Sequence, residues 1–410
     1  MTARKQHNLI MLVLGALAAI GPFSTDMYLP GFQAIARSLR TDMAHVDLSL
    51  TSYFIGISIG QLAYGPMLDR YGRKKPIVLG LLLYICAALG CALSPSIDYL
   101  IALRFFLAVG ACVGMVGSRA IVRDLFSGSE IARALSMLMM IFGIAPIIAP
   151  TIGGMVVTLL GWRFIFGVLA AIAVVVLFAV ERLLHETRQA DLSVSLRPGN
   201  IVREYLNVFK EREFIVYAGA ASAATACLFS YITGSPFVFI DLFGFTPTEF
   251  GWIYGVNACS LIAANQVNRV LLKKYDIRRV LLVCTVVQSS IGLLLLAGSY
   301  RGFLPKMATL GLIFCFLFCF ASIMPNAMGL ALQRFSRNAG SASALIGGMQ
   351  MIVGALASAL VSYLHDGTAF PMALMMCASA STAFMLLGTA TFFSTHLGHR
   401  REPGRPSIIQ

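Results

Sequence analysis

The chain has 410 residues, 58% of them hydrophobic and only 12% charged, against roughly 25% charged in ordinary soluble domains. A soluble fold cannot hide so much apolar surface, so soluble enzymes and soluble binding modules are excluded. The formal net charge of +13 does not imply nucleic acid, because the cations lie in short segments between apolar runs and form neither a basic face nor a stacking module.

A bilayer-crossing helix needs about 20 apolar residues. That length predicts twelve spans, near 9–30, 46–67, 76–94, 98–120, 134–158, 163–184, 213–235, 248–270, 277–298, 303–332, 339–362 and 369–394. The first run exceeds a signal peptide's apolar core and contains Asp26 and Pro30 with no clean cleavage site, so a retained helix is expected. At this hydrophobicity only helices satisfy their own backbone in lipid, and the expected class is an all-α membrane protein. If the N-terminus is cytoplasmic, 25 of the 31 Lys and Arg residues fall on the cytoplasmic side and five outside, with Arg104 left within a span. Such a bias places both termini inside.

The second span leads into GPMLDRYGRKKP, Gly65 to Pro76, a basic turn punctuated by Gly65, Pro66 and Gly72. Asp69, Arg70 and Arg73 there, with Asp124 at the inner end of the fourth span, are the candidate gating charges. Both arginines are expected to pair with Asp124, in a ring of contacts reaching toward the neighbouring bundle. Lys74 and Lys75 read as topology anchors. Asp26 in the first span and Arg104 in the fourth are candidate proton-coupling residues, since a charge in mid-membrane costs about 2.5–3.5 kcal/mol and so faces a partner or a wet interior. Mutual or water-mediated compensation of the two is expected.

The fifth span reads GIAPIIAPTIGG, in which Gly143, Pro146, Pro150, Gly153 and Gly154 are expected to permit close packing and bending. The only long charged connection, near 181–213, divides the spans six and six. The units expected are an N-terminal bundle (1–190), a cytoplasmic linker (191–212) and a C-terminal bundle with a short tail (213–410). RYGRKKPIVLG from Arg70 aligns with KYDIRRVLLVC from Lys274, an internal repetition typical of transporters with a substrate site near the membrane midplane. Candidate cavity residues are Tyr28, Tyr53, Gln61, Tyr231, Asn257, Asn326 and Gln350. The nine cysteines all lie in apolar segments without metal-ligand spacing, and buried free thiols are expected. No phosphate-binding glycine loop is found, so no cofactor is expected beyond the energy of a proton gradient or of the solute itself.

Together these motifs resemble the major facilitator superfamily: GPMLDRYGRKKP its loop motif, LRFFLAVGACVG from Leu103 its fourth-helix motif, GIAPIIAPTIGG its fifth-helix antiporter motif. STDMYLP from Ser24, with VRDLF, SPFVFI and GSASAL, is similar to the bicyclomycin-resistance (Bcr/CflA) drug/proton antiporters. The resemblance covers nearly the whole chain. It implies a protein of the bacterial inner membrane; two pseudo-symmetric six-helix bundles, a monomer, and protons, lipid and a small-molecule substrate as partners are expected. It also implies export of amphipathic compounds such as bicyclomycin, phenicols or sulfonamides, with Asp26 in the proton-site role and Arg104 in that of the fourth-helix arginine. The alternatives are a transporter of metabolites such as nucleosides or amino acids, proton symport included, and a non-transporting sensor. An intramembrane enzyme is not expected, since no Ser/His or His/acid cluster shares a depth in the spans.

Overall fold

A peptide group in hydrocarbon finds no water, so each apolar run satisfies its own backbone as a helix. The computed structural model describes residues 3–126, 129–191, 209, 211–301, 304–333, 335 and 339–398. Its first long elements are α1 (Ala3–Asp26), a 3₁₀ turn (Leu29–Gly31), the short α2 (Phe32–Leu39), α3 (Met43–Tyr71), α4 (Lys74–Ala92), α5 (Ile97–Leu125), α6 (Ser129–Leu160) and α7 (Arg163–Leu183). Then come α8 (Arg212–Pro236), a π-helical segment (Phe237–Leu242), α9 (Pro247–Leu271), α10 (Ile277–Arg301), α11 (Lys306–Leu332), α12 (Ala339–Tyr363) and α13 (Phe370–Gly398). Twelve long helices are thus described, together with α2. Most of the expected linker and the tail beyond residue 398 lie outside the described residues.

Nine of the described helices are long and apolar enough to cross a membrane. Of the other three, α3 and α9 fall short because Asp47, Gln61 and Asp69 on one, and Asn257, Asn265, Gln266 and Asn268 on the other, lower their mean hydropathy, and α6 enters only as the shorter apolar stretch Ile144–Leu160. The polar turn after the second span is shorter than its sequence suggests. Gly65 and Pro66 lie inside α3, and the chain reverses only at Gly72 (φ 83°) and Arg73 before α4 begins at Lys74. Pro76 fits the first turn of α4, where its missing N–H has no helical partner to lose. The first span likewise ends earlier than expected, at Asp26, and Pro30 belongs to the 3₁₀ turn that leads into α2.

Helix α1 packs on α5, α6 and α7, with α3 and α4 closing on α5. Among the later helices, α8 contacts α11, α12 and α13, while α10 lies on α11 and α13. Helix α6 meets α9, and α3 meets α12, along two long seams. Close approach on two sides of α6 explains Gly153 and Gly154 of GIAPIIAPTIGG. A Cβ on Gly153 would lie 2.3 Å from the Met27 carbonyl oxygen, and one on Gly154 would lie 2.5 Å from that of Pro247. Those glycines serve backbone-to-backbone approach. Pro146 and Pro150 sit within one continuous helix, α6, which also includes Gly143.

Helix ends follow local rules. Asp42 caps α3 by accepting the His45 backbone N–H at 2.9 Å, and Thr246 with Glu249 forms a reciprocal capping box on α9. The hydrogen bonds from His45 hold the exposed Asp42 carboxyl below the usual carboxylate range.

Candidate functional site

Asp26 ends α1 and is 4% exposed. It stands in the wall of a cavity of about 250 Å³ lined by residues of α1, α3, α5 and α6 and of α8, α9, α11 and α12. The lining is dominated by Phe54, Ile57, Leu228, Phe229, Ile232 and Leu317. Such a surface suits an apolar or amphipathic solute, with a few polar groups to orient it. Tyr254 on α9 donates to Asp26 Oδ1 at 3.4 Å and stacks on Tyr231, with ring centroids 5.6 Å apart. Asn257, one turn on, donates to the Tyr231 hydroxyl at 3.0 Å. A polar chain Asn257–Tyr231–Tyr254–Asp26 therefore runs along one wall, with the acid and the phenols supplied from opposite ends of the sequence.

Arg104 makes no direct ion pair with Asp26. Arg104 is wholly buried and lies between two aromatic faces, its guanidinium carbon 4.1 Å from the Tyr28 ring centroid and 4.4 Å from that of Tyr53. One Nη donates to the Ser24 carbonyl at 2.9 Å. A planar cation is stabilised by ring quadrupoles without a carboxylate.

Of the candidate cavity residues, Tyr53, Tyr231 and Asn257 line the cavity. Tyr28 is turned to Arg104 and hydrogen-bonds Ser49 at 2.6 Å. Asn326 exchanges hydrogen bonds with Asn268, at 3.1 and 2.8 Å. Gln350 points at the Met324 sulfur, 3.2 Å away, and Gln61 faces Gly347 across the α3–α12 seam. These four join helices and do not line the cavity. Pro146 does line it. Tyr254, Phe54, Phe229 and Met351 were not anticipated, because an aromatic or Met in an apolar span offers no polarity contrast to single it out.

On one side of the cavity, toward Asp241, four layers join the earlier helices to the later ones. Phe54 stacks on Phe229 with centroids 4.0 Å apart. Next, the Ser358 hydroxyl meets Thr51 at 2.9 Å and Thr233 at 2.7 Å. Beyond them, Asp47 lines a small void with residues of α8, α12 and α13, and at the rim Gln33 donates to Asp241 at 2.5 Å.

On the opposite side lies the charged turn. Arg73, 4% exposed, donates through Nε and Nη2 to Asp124 at 2.7 and 3.2 Å, and through Nη1 to Asp69 at 2.8 Å. Glu186, after α7, receives the backbone N–H groups of Arg73 and Lys74 at 2.6 and 3.1 Å. Arg188 also reaches Asp69 at 3.1 Å, and Thr187 donates to Asp124 at 3.1 Å. Arg73 carries the fork to Asp124, whereas the Arg70 guanidinium lies 5.8 Å from the Tyr71 ring. These contacts tie α3, α4, α5 and the end of α7 together. They do not reach the later helices as the sequence reading expected.

Residues 14–358 match the Major Facilitator Superfamily. The chain is 33% identical to a transporter of that superfamily, YdgK of Bacillus subtilis, over 95% of this chain and 96% of the relative. It is also 33% identical to the bicyclomycin resistance protein homolog of Haemophilus influenzae, over 92% of this chain and 94% of the relative. The partially occluded, inward-open structure of the xylose transporter XylE from E. coli superposes with a TM-score of 0.72 at 12% identity, over 92% of this chain and 96% of that one. That likeness speaks to the fold alone. A multi-pass membrane transporter of small molecules rather than an enzyme, the chain belongs to the Major Facilitator Superfamily, within the bicyclomycin-resistance family that its motifs resemble.

Proposed function

We propose that this protein is a proton-coupled exporter of small amphipathic compounds, of the bicyclomycin, phenicol or sulfonamide kind, working by alternating access as a monomer in the bacterial inner membrane. Residues 1–190 and 213–410 form the two halves, joined by a cytoplasmic linker over 191–212, with both termini inside. In this orientation Asp241 marks the outer end and Asp124 the inner end.

The observation that carries the reading is the position of Asp26. It is an acid in the wall of an otherwise apolar cavity, touched by a phenol from the opposite half. When the halves re-pair, Tyr254 leaves the carboxyl or returns to it, so the proton's affinity changes with conformation. Tyr53, Tyr231 and Asn257 contribute the polar contacts that orient a solute. The Asp69–Arg73–Asp124 cluster holds the inner ends of the first half as one rigid body, and gating is assigned to the movement of that body, Arg70 included. The name of the Haemophilus influenzae relative, a bicyclomycin resistance protein homolog, supports the substrate class.

The test uses proteoliposomes with an imposed proton gradient and a labelled phenicol, alongside susceptibility profiling of a pump-deficient bacterial strain. Protons moving inward should drive the drug outward. Asp26→Asn should abolish this while leaving thermal unfolding unchanged. Full antiport by Asp26→Asn would remove Asp26 from the mechanism, and drug movement in the same direction as the protons would make the protein a symporter.

A further inference from the structure

Asp47 plays no part in the mechanism above, yet it is the second acid buried where the halves meet. It lies in the second turn of α3, is 1% exposed, and its Oδ1 is buried with no hydrogen-bond partner. The carboxyl lines a void of about 10 Å³ with Gly234 of α8, Phe237 and Val238 of the π-helical segment, Val361 of α12, and His365. A void of that size holds no solute, being about one water probe in volume.

His365 is oriented toward a role here. Its Nδ1 accepts the Gly367 backbone N–H at 3.1 Å, and its ring meets Phe237 edge-on at 4.4 Å. A neutral imidazole that accepts at Nδ1 carries its hydrogen on Nε2. That Nε2 is also buried without a partner, and His365 borders the same void as Asp47. The other ionisable groups around Asp47 are two acids, Asp42 from the start of α3 and Asp241 from the π-helical segment, and the Tyr28 phenol. Arg37 and His365 lie near Asp241, whereas His45 is engaged with Asp42. No arginine or lysine makes an ion pair with Asp47 among the described residues. Asp42 and Asp241 are exposed, whereas Asp47 is enclosed with no cation beside it, and a buried, unpaired charge carries its full desolvation cost.

We propose that Asp47 is a second proton-binding site, built into the outer closure: its carboxyl holds a proton when α3, α8 and α12 close over it, with the His365 Nε2–H as polar neighbour, and releases that proton outward when they part. The ligand is a hydrogen ion, taken up and released without any covalent step. Outer pH would then bias the closed–open equilibrium independently of Asp26. The hydroxyl layer Thr51–Ser358–Thr233 and the Phe54–Phe229 stack lie between the two acids.

The experiment places a reporter thiol at Val361→Cys, a 4% exposed position on the same void. Its alkylation is followed by peptide-resolved mass spectrometry in the full-length protein, so native thiols are read separately. Rates are measured with Asp47 intact and with Asp47→Asn, and their ratio cancels the thiol's own pH dependence. The ratio should rise at least about tenfold between about pH 5 and pH 9, because ionisation opens the closure only where the acid is present. A ratio independent of pH overturns the proposal. Asp47→Ser serves as a second neutral variant and must give the same profile. His365→Gln should shift the midpoint, and an unmoved midpoint removes His365 from the site. Adding Asp26→Asn to both arms should leave the rise in place. Its loss there would assign the titration to Asp26 and sink the proposal, whereas failure of drug antiport alone would leave this measurement untouched.

Discussion

Replacing Arg73 by alanine tests how the charged turn is held. The guanidinium is buried and grips two acids of different exposure, with the Asp124 side chain 16% exposed and that of Asp69 40%. Removing one partner of a buried pair costs about 3–5 kcal/mol. Asp124 keeps the Thr187 hydroxyl, which places Arg73→Ala near the lower figure, about 3 kcal/mol. The Asp69 contact behaves as a surface pair and should contribute about 0.5 kcal/mol. A double-mutant cycle on thermal or denaturant unfolding in detergent separates the two. Coupling of about 2 kcal/mol is expected for Arg73 with Asp124, and under about 1 kcal/mol with Asp69. Arg73→Lys should recover little, because a point charge cannot bridge both acids. Burial pulls the Arg73 pKa down, but the hydrogen bonds and charges of Asp124 and Asp69 outweigh it and leave it raised above the ordinary guanidinium value. A cation raised in the folded state stabilises fully below its unfolded value and loses that contribution only as pH rises through the folded value. Its share of the coupling is therefore constant through neutral and mildly alkaline pH. Equal couplings for the two acids, or a larger one for Asp69, would refute the assignment of the grip to Asp124.

Four further outcomes are expected. Gly114→Ala would put a Cβ 2.2 Å from the Leu17 carbonyl oxygen and should cost about 1–3 kcal/mol by forcing α1 off α5; Gly65→Ala, with open space around it, should stabilise by about 0.5–1 kcal/mol, and both are read from unfolding midpoints. Arg104→Lys should lower stability by about 1–3 kcal/mol, since an ammonium cannot lie flat between Tyr28 and Tyr53 while reaching the Ser24 carbonyl; an unchanged midpoint would deny the rings their role. Asp42→Ala should cost about 1 kcal/mol through the lost cap. Because the Asp42 pKa is lowered, that difference should be present at neutral pH and vanish as acidification protonates the carboxyl.

The helices were legible because length and hydropathy alone decide them in lipid. Their ends were less so: Gly65 and Pro66 look like breakers in a string of letters, yet α3 runs through both to Tyr71. The 3₁₀ turn at Leu29–Gly31 and the helix after it left no periodicity long enough to read. Asp26 and Arg104 stood out as lone charges in apolar runs, and both proved buried. What they touch was not legible, since Tyr254 is 228 positions from Asp26 and a ring face does not declare itself as a cation's partner. Asp47 escaped notice because it falls at the end of a predicted span, where an acid normally meets water.

The distribution of strong and weak contacts suits the proposed cycle. Among the earlier helices the charged contacts are ionic, forked and partly buried, as at Arg73 with Asp124. Between the earlier and later helices the contacts named above are of another kind: a hydroxyl relay at Ser358, a ring stack at Phe54, a phenol on Asp26, an amide on Asp241, and glycine-lined backbone approach at Gly154 and Gly251. A neutral hydrogen bond contributes only about 1 kcal/mol net, because water replaces the lost partner when the seam opens. Ion pairs at those positions would lock one conformation more deeply than a proton's binding energy could reverse. A seam that must part and re-form in every turnover is better built from contacts of this size, with the acids at its edge supplying the bias.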